Sequence, residues 1–270
     1  MIPLAGRLGL LDVETVRASL FWLAVTAHLL ADFAVRKEGM PGGGREQDPR
    51  DLVVHAAVHL GMMALLGLPA ASLALIVAWT AVVASHVAID AALGTSRRPG
   101  VGAFLLDQAL HVWIIGAAVR LLPPAALRPW PPAGVLLGVL AGSSPAAYLG
   151  APEAWRLVAV YLAVVLGGAP LVRLVLQAWQ LRPASRAAAP EGGVSEAPGT
   201  GMLVGMLERA LILTFLLFEA TAAVGFVLAA KSIARFKELE DRAFAEYYLV
   251  GTLASVVVAV VGFLVLRRGP

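Results

Sequence analysis

All five histidines of the chain lie between His28 and His111, and each has a histidine or an aspartate four residues away. The pairs are His28/Asp32, His55/His59, His86/Asp90 and Asp107/His111, and Asp51 extends the second into a run of three. Residues four apart stand on one face of an α-helix, one turn from each other, so the two side chains of a pair can share one cation. Four such pairs on four helices would make a metal-binding core of His28, Asp32, His55, His59, His86, Asp90, Asp107 and His111. Neutral imidazole and carboxylate suit a divalent transition metal, zinc first and iron or manganese after it. The chain has no cysteine, which excludes disulfides and thiolate ligands.

The donors outnumber what one tetrahedral ion needs. Either two ions bind, or one binds and the remaining groups orient ligands and move protons. Two ions about 3.5–4 Å apart would suit hydrolysis of a phosphate or an ester. In that case His28, His55, His59 and His111 are the preferred ligands. Asp32, Asp90 and Asp107 would then be the catalytic carboxylates, bridging metals or acting as bases.

The elements that must carry these pairs are written in the composition. Of 270 residues, 59% are hydrophobic and only 14% charged, with mean hydropathy +0.81. A soluble domain would carry about a quarter charged residues. Apolar runs approach the roughly 20 residues that cross a bilayer, and the alternating short segments of a β-barrel are absent. The expected fold is all-α, a polytopic transmembrane helical bundle of seven or eight spans. The net charge of +3 comes from basic loops without any recognition motif, so nucleic acid is not an expected partner. Membrane lipid is.

Four helices are expected in residues 1–121, from about Arg17 to Val35, from Pro49 to the Gly67-Leu68-Pro69 turn, from Ala70 to Leu93 and from Gly102 to Leu121. The pairs fall at the ends of the first and third and the beginnings of the second and fourth. In an up-down-up-down bundle those positions share one side of the membrane. The loops on that side hold Arg36, Lys37, Arg45, Arg50, Arg97 and Arg98, whereas the intervening turn has no charge. Basic loops mark the cytoplasmic side, so the pairs are expected near the cytoplasmic interface. Arg97 and Arg98 could also hold a phosphate-bearing head group of a lipid-like substrate. Pro41 to Gly44 reads as an interfacial loop.

Beyond this domain, residues 122–180 are expected to hold one or two further spans, a firm one at about Leu157–Trp179 and an ambiguous one at 134–149. Residues 181–201, rich in Ala, Pro, Gly and Ser, read as a flexible linker. Residues 202–270 read as a helical hairpin: a helix over 203–230, an amphipathic interfacial segment from Lys231 to Glu246, and a last span to Leu266. Glu219 would lie near the middle of the first of these helices, with Arg173 as a partner for it or for Glu208.

Two portions resemble a bacterial membrane family catalogued only as a domain of unknown function (thirty-three-oh-seven). One comprises His28-Leu29-Leu30-Ala31-Asp32-Phe33, His55-x3-His59, His86-x2-Ile89-Asp90 and Phe104-Leu105-Leu106-Asp107-Gln108-x2-His111. The other comprises Leu207-Glu208-Arg209, Ala230-Lys231-Ser232-Ile233-x-Arg235-Phe236, Glu246-Tyr247 and Gly251-Thr252-Leu253. The resemblance covers roughly 20–115 and 203–256 and implies a site without naming a reaction. The His28-x3-Asp32 spacing is also similar to that of membrane-bound metal-dependent hydrolases, whose other motifs this chain lacks.

The expected function is therefore a metal-dependent hydrolase of a lipid or amphipathic substrate. A divalent metal-ion transporter is the first alternative, because His-x3-Asp on membrane helices also resembles cation-diffusion exporters. A bundle with a structural metal, docking a partner through residues 231–246, is the next. A di-iron oxidase comes last, since the adjacent histidines of membrane desaturases are missing. The oligomeric state is not legible.

Overall fold

The computed structural model describes residues 12–35, 49–70, 72–93, 100–127, 145–181 and 200–268, and every regular element among them is helical. In chain order these are α1 (Val13–Leu29, continued by a π-helical turn, Leu30–Val35), α2 (Pro49–Gly67), α3 (Leu73–Leu93) and α4 (Val101–Leu121). A short α5 (Pro145–Leu149) follows, then α6 (Pro152–Ala178, π-helical over Ala163–Gly167), α7 (Thr200–Leu217), α8 (Thr221–Ala234) and α9 (Arg242–Arg267). Six helices, α1 to α4, α6 and α9, are long and apolar enough to cross a membrane, which makes this a multi-pass membrane protein by composition.

That is six among the described residues, where the sequence led us to expect seven or eight. Most of 134–149 lies outside the described residues, as do the Pro41–Gly44 loop, Arg97, Arg98 and nearly all of the 181–201 linker. The helix expected over 203–230 is two helices, parted at Phe218–Ala220 with Glu219 at φ 57°. A carboxylate at mid-span would be costly, and the break leaves Glu219 exposed instead. At 14 residues, α8 is about 21 Å long, short of a bilayer crossing. The Lys231–Glu246 segment is the end of α8, a 3₁₀ turn at Glu238–Glu240 and the start of α9, which Asp241 caps by accepting the Phe244 N–H at 2.7 Å.

The chain forms two compact units, Met1–Arg98 with Leu105–Ala159 and Val160–Pro270 with Pro99–Phe104. In the first, α1 is the most enclosed helix. Its inward face repeats at steps of three and four: Val16, Leu20, Leu23, Ala27 and Ala31, all buried. Ala24, Ala27 and Ala31 let neighbouring backbones approach closely, which matters in lipid, where helices associate by packing rather than by escaping water. Outward faces carry Val53, Leu65, Leu73, Ile76, Val77 and Trp113, all exposed, as helices solvated by acyl chains require.

Ordinary capping chemistry fixes the end of this unit away from the histidines. Asp12 accepts the Thr15 N–H at 2.9 Å to start α1, and the Ser72 hydroxyl accepts the Leu75 N–H at 3.2 Å to start α3. Arg17 donates to the Leu122 carbonyl at 2.9 Å, and Arg120 reaches Glu14 at 3.0 Å, so the start of α1 is tied to the end of α4. Tyr148 of α5 donates to the Leu66 carbonyl at 3.2 Å, satisfying one of the free acceptors at the end of α2. Burial raises the Tyr148 hydroxyl to a pKa of about 12, so it remains a donor. Gly67 allows the close crossing of α2 and α3, since a Cβ there would stand 2.8 Å from the Trp79 indole nitrogen.

In the second unit α9 packs on α7 and on the Gly168–Ala178 half of α6, and α8 folds back against α7. Glu208 pairs with Lys231 at 2.7 Å. Arg209 is buried against the π-helical turn of α6, donating through Nε to the Val164 carbonyl and through Nη2 to the Val165 carbonyl, both at 2.8 Å.

Candidate metal centre

The four pairs meet. His28 and Asp32 come from the end of α1, His55 and His59 from the first turns of α2, His86 and Asp90 from the last turns of α3, and Asp107 and His111 from the start of α4. Alternating helix direction brings these positions to one end of the unit, and the 3.6-residue period turns each pair to the same interior. Ring centroids of His28, His55, His59, His86 and His111 lie 4.1–5.6 Å apart wherever two of these rings adjoin.

The residues are arranged in two tiers. The inner tier is His28, His59, His86 and His111, one from each helix, with side chains 1–3% exposed. The outer tier is Asp32, His55, Asp90 and Asp107, one turn nearer the helix ends, and its exposure climbs from 8% at Asp32 to 21% at Asp107. One turn deeper than each inner histidine stand Ala24, Met63, Val82 and Ile115, all buried. A cavity of about 10 Å³, room for about one water-sized particle, lies between the inner tier and Met63, Val82, Val83, Ile114 and Ile115. The site thus has an apolar floor and a polar mouth.

Asp32 is the hub. Its Oδ1 lies 3.2 Å from Nε2 of His59, 3.4 Å from Nε2 of His55 and 3.6 Å from Nε2 of His86, while Oδ2 is 3.5 Å from Nε2 of His28. Asp90 links the other side: Oδ2 is 3.5 Å from Nε2 of both His55 and His86, and Oδ1 is 3.6 Å from Nε2 of His111. Asp107 Oδ2 stands 3.7 Å from Nδ1 of His111.

Most of these separations exceed the roughly 2.7–3.2 Å of a hydrogen bond. They match instead the spacing of two ligands on one ion, since tetrahedral zinc with bonds of about 2.0–2.1 Å keeps its ligand atoms about 3.3–3.4 Å apart. The unsatisfied atoms point the same way. Asp32 Oδ1, His28 Nε2, His59 Nε2, His86 Nδ1 and both ring nitrogens of His111 are buried without a hydrogen-bond partner. His59 Nδ1 donates to the His55 carbonyl at 3.0 Å, so a neutral ring carries its lone pair on Nε2, facing the Asp32 carboxylate. Two acceptors face to face in a buried site need a positive species between them. Three sets of donor atoms are each close enough to hold one ion: His28, Asp32, His59 and His86; His55, His86 and Asp90; and Asp90, Asp107 and His111.

Asp51 lies one turn before His55, half-buried, and does not join these sets. Two features of the site have no clear mark in the sequence. Asp32 sits in a π-helical turn, Leu30–Val35, and such turns recur at functional sites because they displace one side chain from the α-helical stripe. Gln108 hydrogen-bonds Asp107 Oδ2 at 3.0 Å. Its signal was its place beside Asp107, where an amide on a membrane helix stands out from Leu105, Leu106, Ala109 and Leu110.

No curated protein and no solved structure matches this chain. The stretch that builds the site, from within α1 to the turn after α4 (residues 20–126), matches the model of the family described as Protein of unknown function (DUF3307).

Proposed function

We propose that this protein is a metal-dependent hydrolase that cleaves a lipid or amphipathic substrate at the cytoplasmic surface of a bacterial inner membrane. The observation that carries the reading is the convergence of buried, unpartnered imidazole and carboxylate atoms at ligand spacing behind a polar mouth. A bound divalent ion supplies a water of lowered pKa and polarises a carbonyl or phosphoryl oxygen. The outer-tier carboxylates Asp90 and Asp107 are the more exposed acids and can take the water's proton; Asp32, behind them, holds the imidazoles in register. Arg97 and Arg98 would steady an anionic head group.

The apolar floor favours an enzyme over a transporter. A permeating ion would have to pass Ala24, Met63, Val82 and Ile115, none of which offers it a charged or ionisable ligand. The test is metal analysis of the chain purified in detergent, followed by hydrolysis of short-chain ester and phosphodiester substrates. Stoichiometric transition metal, reduced by at least one ion per chain in the double substitution His55→Ala/His59→Ala, and hydrolysis that stops on chelation and returns with metal are the expected results. A metal-free protein, or one whose metal content is unchanged by that double substitution, overturns the reading. Zinc flux across vesicles without hydrolysis would favour the transporter.

A further inference from the structure

Resting on that metal-centre reading, we propose that the site holds two ions of unequal kind: a closed inner one bound by His28, Asp32, His59 and His86, and an open outer one bound by Asp90, Asp107 and His111. The inner set offers four protein donors, three of them inner-tier nitrogens and the fourth from Asp32, the least exposed member of the outer tier. Four protein ligands close a tetrahedral ion to water, the mark of an ion that organises structure and field. The outer set offers three donors, two of them carboxylates, and its acids are the most exposed of the eight residues. Three protein ligands leave at least one coordination position for water or a substrate oxygen.

His111 is the second observation behind the outer ion. Its side chain is 2% exposed, yet neither ring nitrogen has a hydrogen-bond partner, and both face carboxylates of this set. His55 stands between the two sets, 3.4 Å from Asp32 and 3.5 Å from Asp90, where it can complete either coordination shell. The outer ion, being oxygen-rich and open, takes the oxygen of a phosphate ester or a carboxyl ester; the inner ion does not meet substrate.

The two ions differ in how they leave. The experiment loads the full chain in detergent with zinc, desalts it, counts bound metal, and repeats the count after brief exposure to a competing chelator. Two ions per chain falling to one is expected for the wild type. Asp107→Asn should hold one ion that survives the chelator, and His59→Ala should lose the ion that survives. A wild-type count that saturates at one, or two ions that leave in a single phase, overturns the division while leaving a metal site in place. A count of zero overturns the parent reading as well. The wild-type release profile decides the matter even where a variant fails to fold.

Discussion

Among the described residues the chain widens from α-helix to π-helix at two places, and each widening sets a buried polar side chain, with opposite outcomes. In α6 the turn Ala163–Gly167 leaves two carbonyls without α-helical donors, and Arg209 fills the need: Val164 and Val165 each accept from its guanidinium at 2.8 Å. Gly168 makes room, since a Cβ there would stand 2.7 Å from Arg209 Nε. In α1 the turn Leu30–Val35 carries Asp32 itself, and the buried Asp32 Oδ1 ends 3.2–3.6 Å from the Nε2 atoms of His55, His59 and His86. One is a completed structural joint. The other is a cluster whose buried nitrogens and carboxylate oxygens are not all satisfied by one another. Burial of charge within a membrane therefore does not separate function from structure in this chain; completeness of hydrogen bonding does.

The largest expected effect breaks the incomplete side. Substituting Asp32→Ala with His59→Ala should remove the chelator-resistant ion, measured as metal per chain after the chelator, and erase the stabilisation that this ion gives the wild type. At a metal concentration a thousandfold above Kd that stabilisation is about 4 kcal/mol, read as the difference in thermal midpoint with and without chelator. The doubly substituted protein should lose most of that difference between the two conditions. If chelator shifts it as far as it shifts the wild type, the hub is not Asp32.

Arg209→Met probes the completed side. Methionine fills much of the volume but removes the guanidinium donors to the Val164 and Val165 carbonyls, and a buried unsatisfied acceptor costs about 1–3 kcal/mol. The expected loss is about 3 kcal/mol in thermal denaturation with metal content unchanged. A parallel loss of metal would tie the two regions into one function and dissolve the contrast.

Met63→Ala tests the floor. It removes a buried side chain that lines the cavity under the inner histidines. The expected cost is about 2 kcal/mol, at the low end of the methionine-to-alanine range because small cavities in helix bundles partly collapse. The more telling readout is the rate of metal release, which should rise as water gains a second approach. Unchanged release with lowered stability would mean that the mouth alone sets access.

Much of the site was legible because the helical period does the same work in sequence and in space. Four i, i+4 pairs at alternate helix ends can meet only at one end of an antiparallel bundle, and His28 through His111 do meet there. What the period cannot report is a change of period. Nothing in Leu30-Ala31-Asp32-Phe33-Ala34-Val35 announces a π turn, because that choice is made by neighbours that take up the displaced side chain. The break at Phe218–Ala220 hid for a similar reason: no glycine or proline marks it, and Glu219 adopts φ 57° in an exposed turn that local sequence alone does not demand. The tiers were hidden too. Spacing gave the pairs, but which member of each lies deeper follows from helix direction, and so His86 stands in the inner tier while His55 stands in the outer.

The smallest effect belongs to the end of the first unit farthest from the histidines. Glu14 there bonds both Arg17 and Arg120, and Arg120 and Glu14 are each about two-thirds exposed at 69% and 67%. An ion pair in water of that accessibility is screened and loses side-chain entropy on forming, so its net contribution is close to nil. Arg120→Ala should leave both the melting temperature and the metal content where they are, and Arg17 would still hold Glu14 and the Leu122 carbonyl. A drop of several degrees would show that this end lies at a drier level of the membrane than its exposure implies. The contrast between satisfied and unsatisfied polar groups would then have to be redrawn with depth as its second axis.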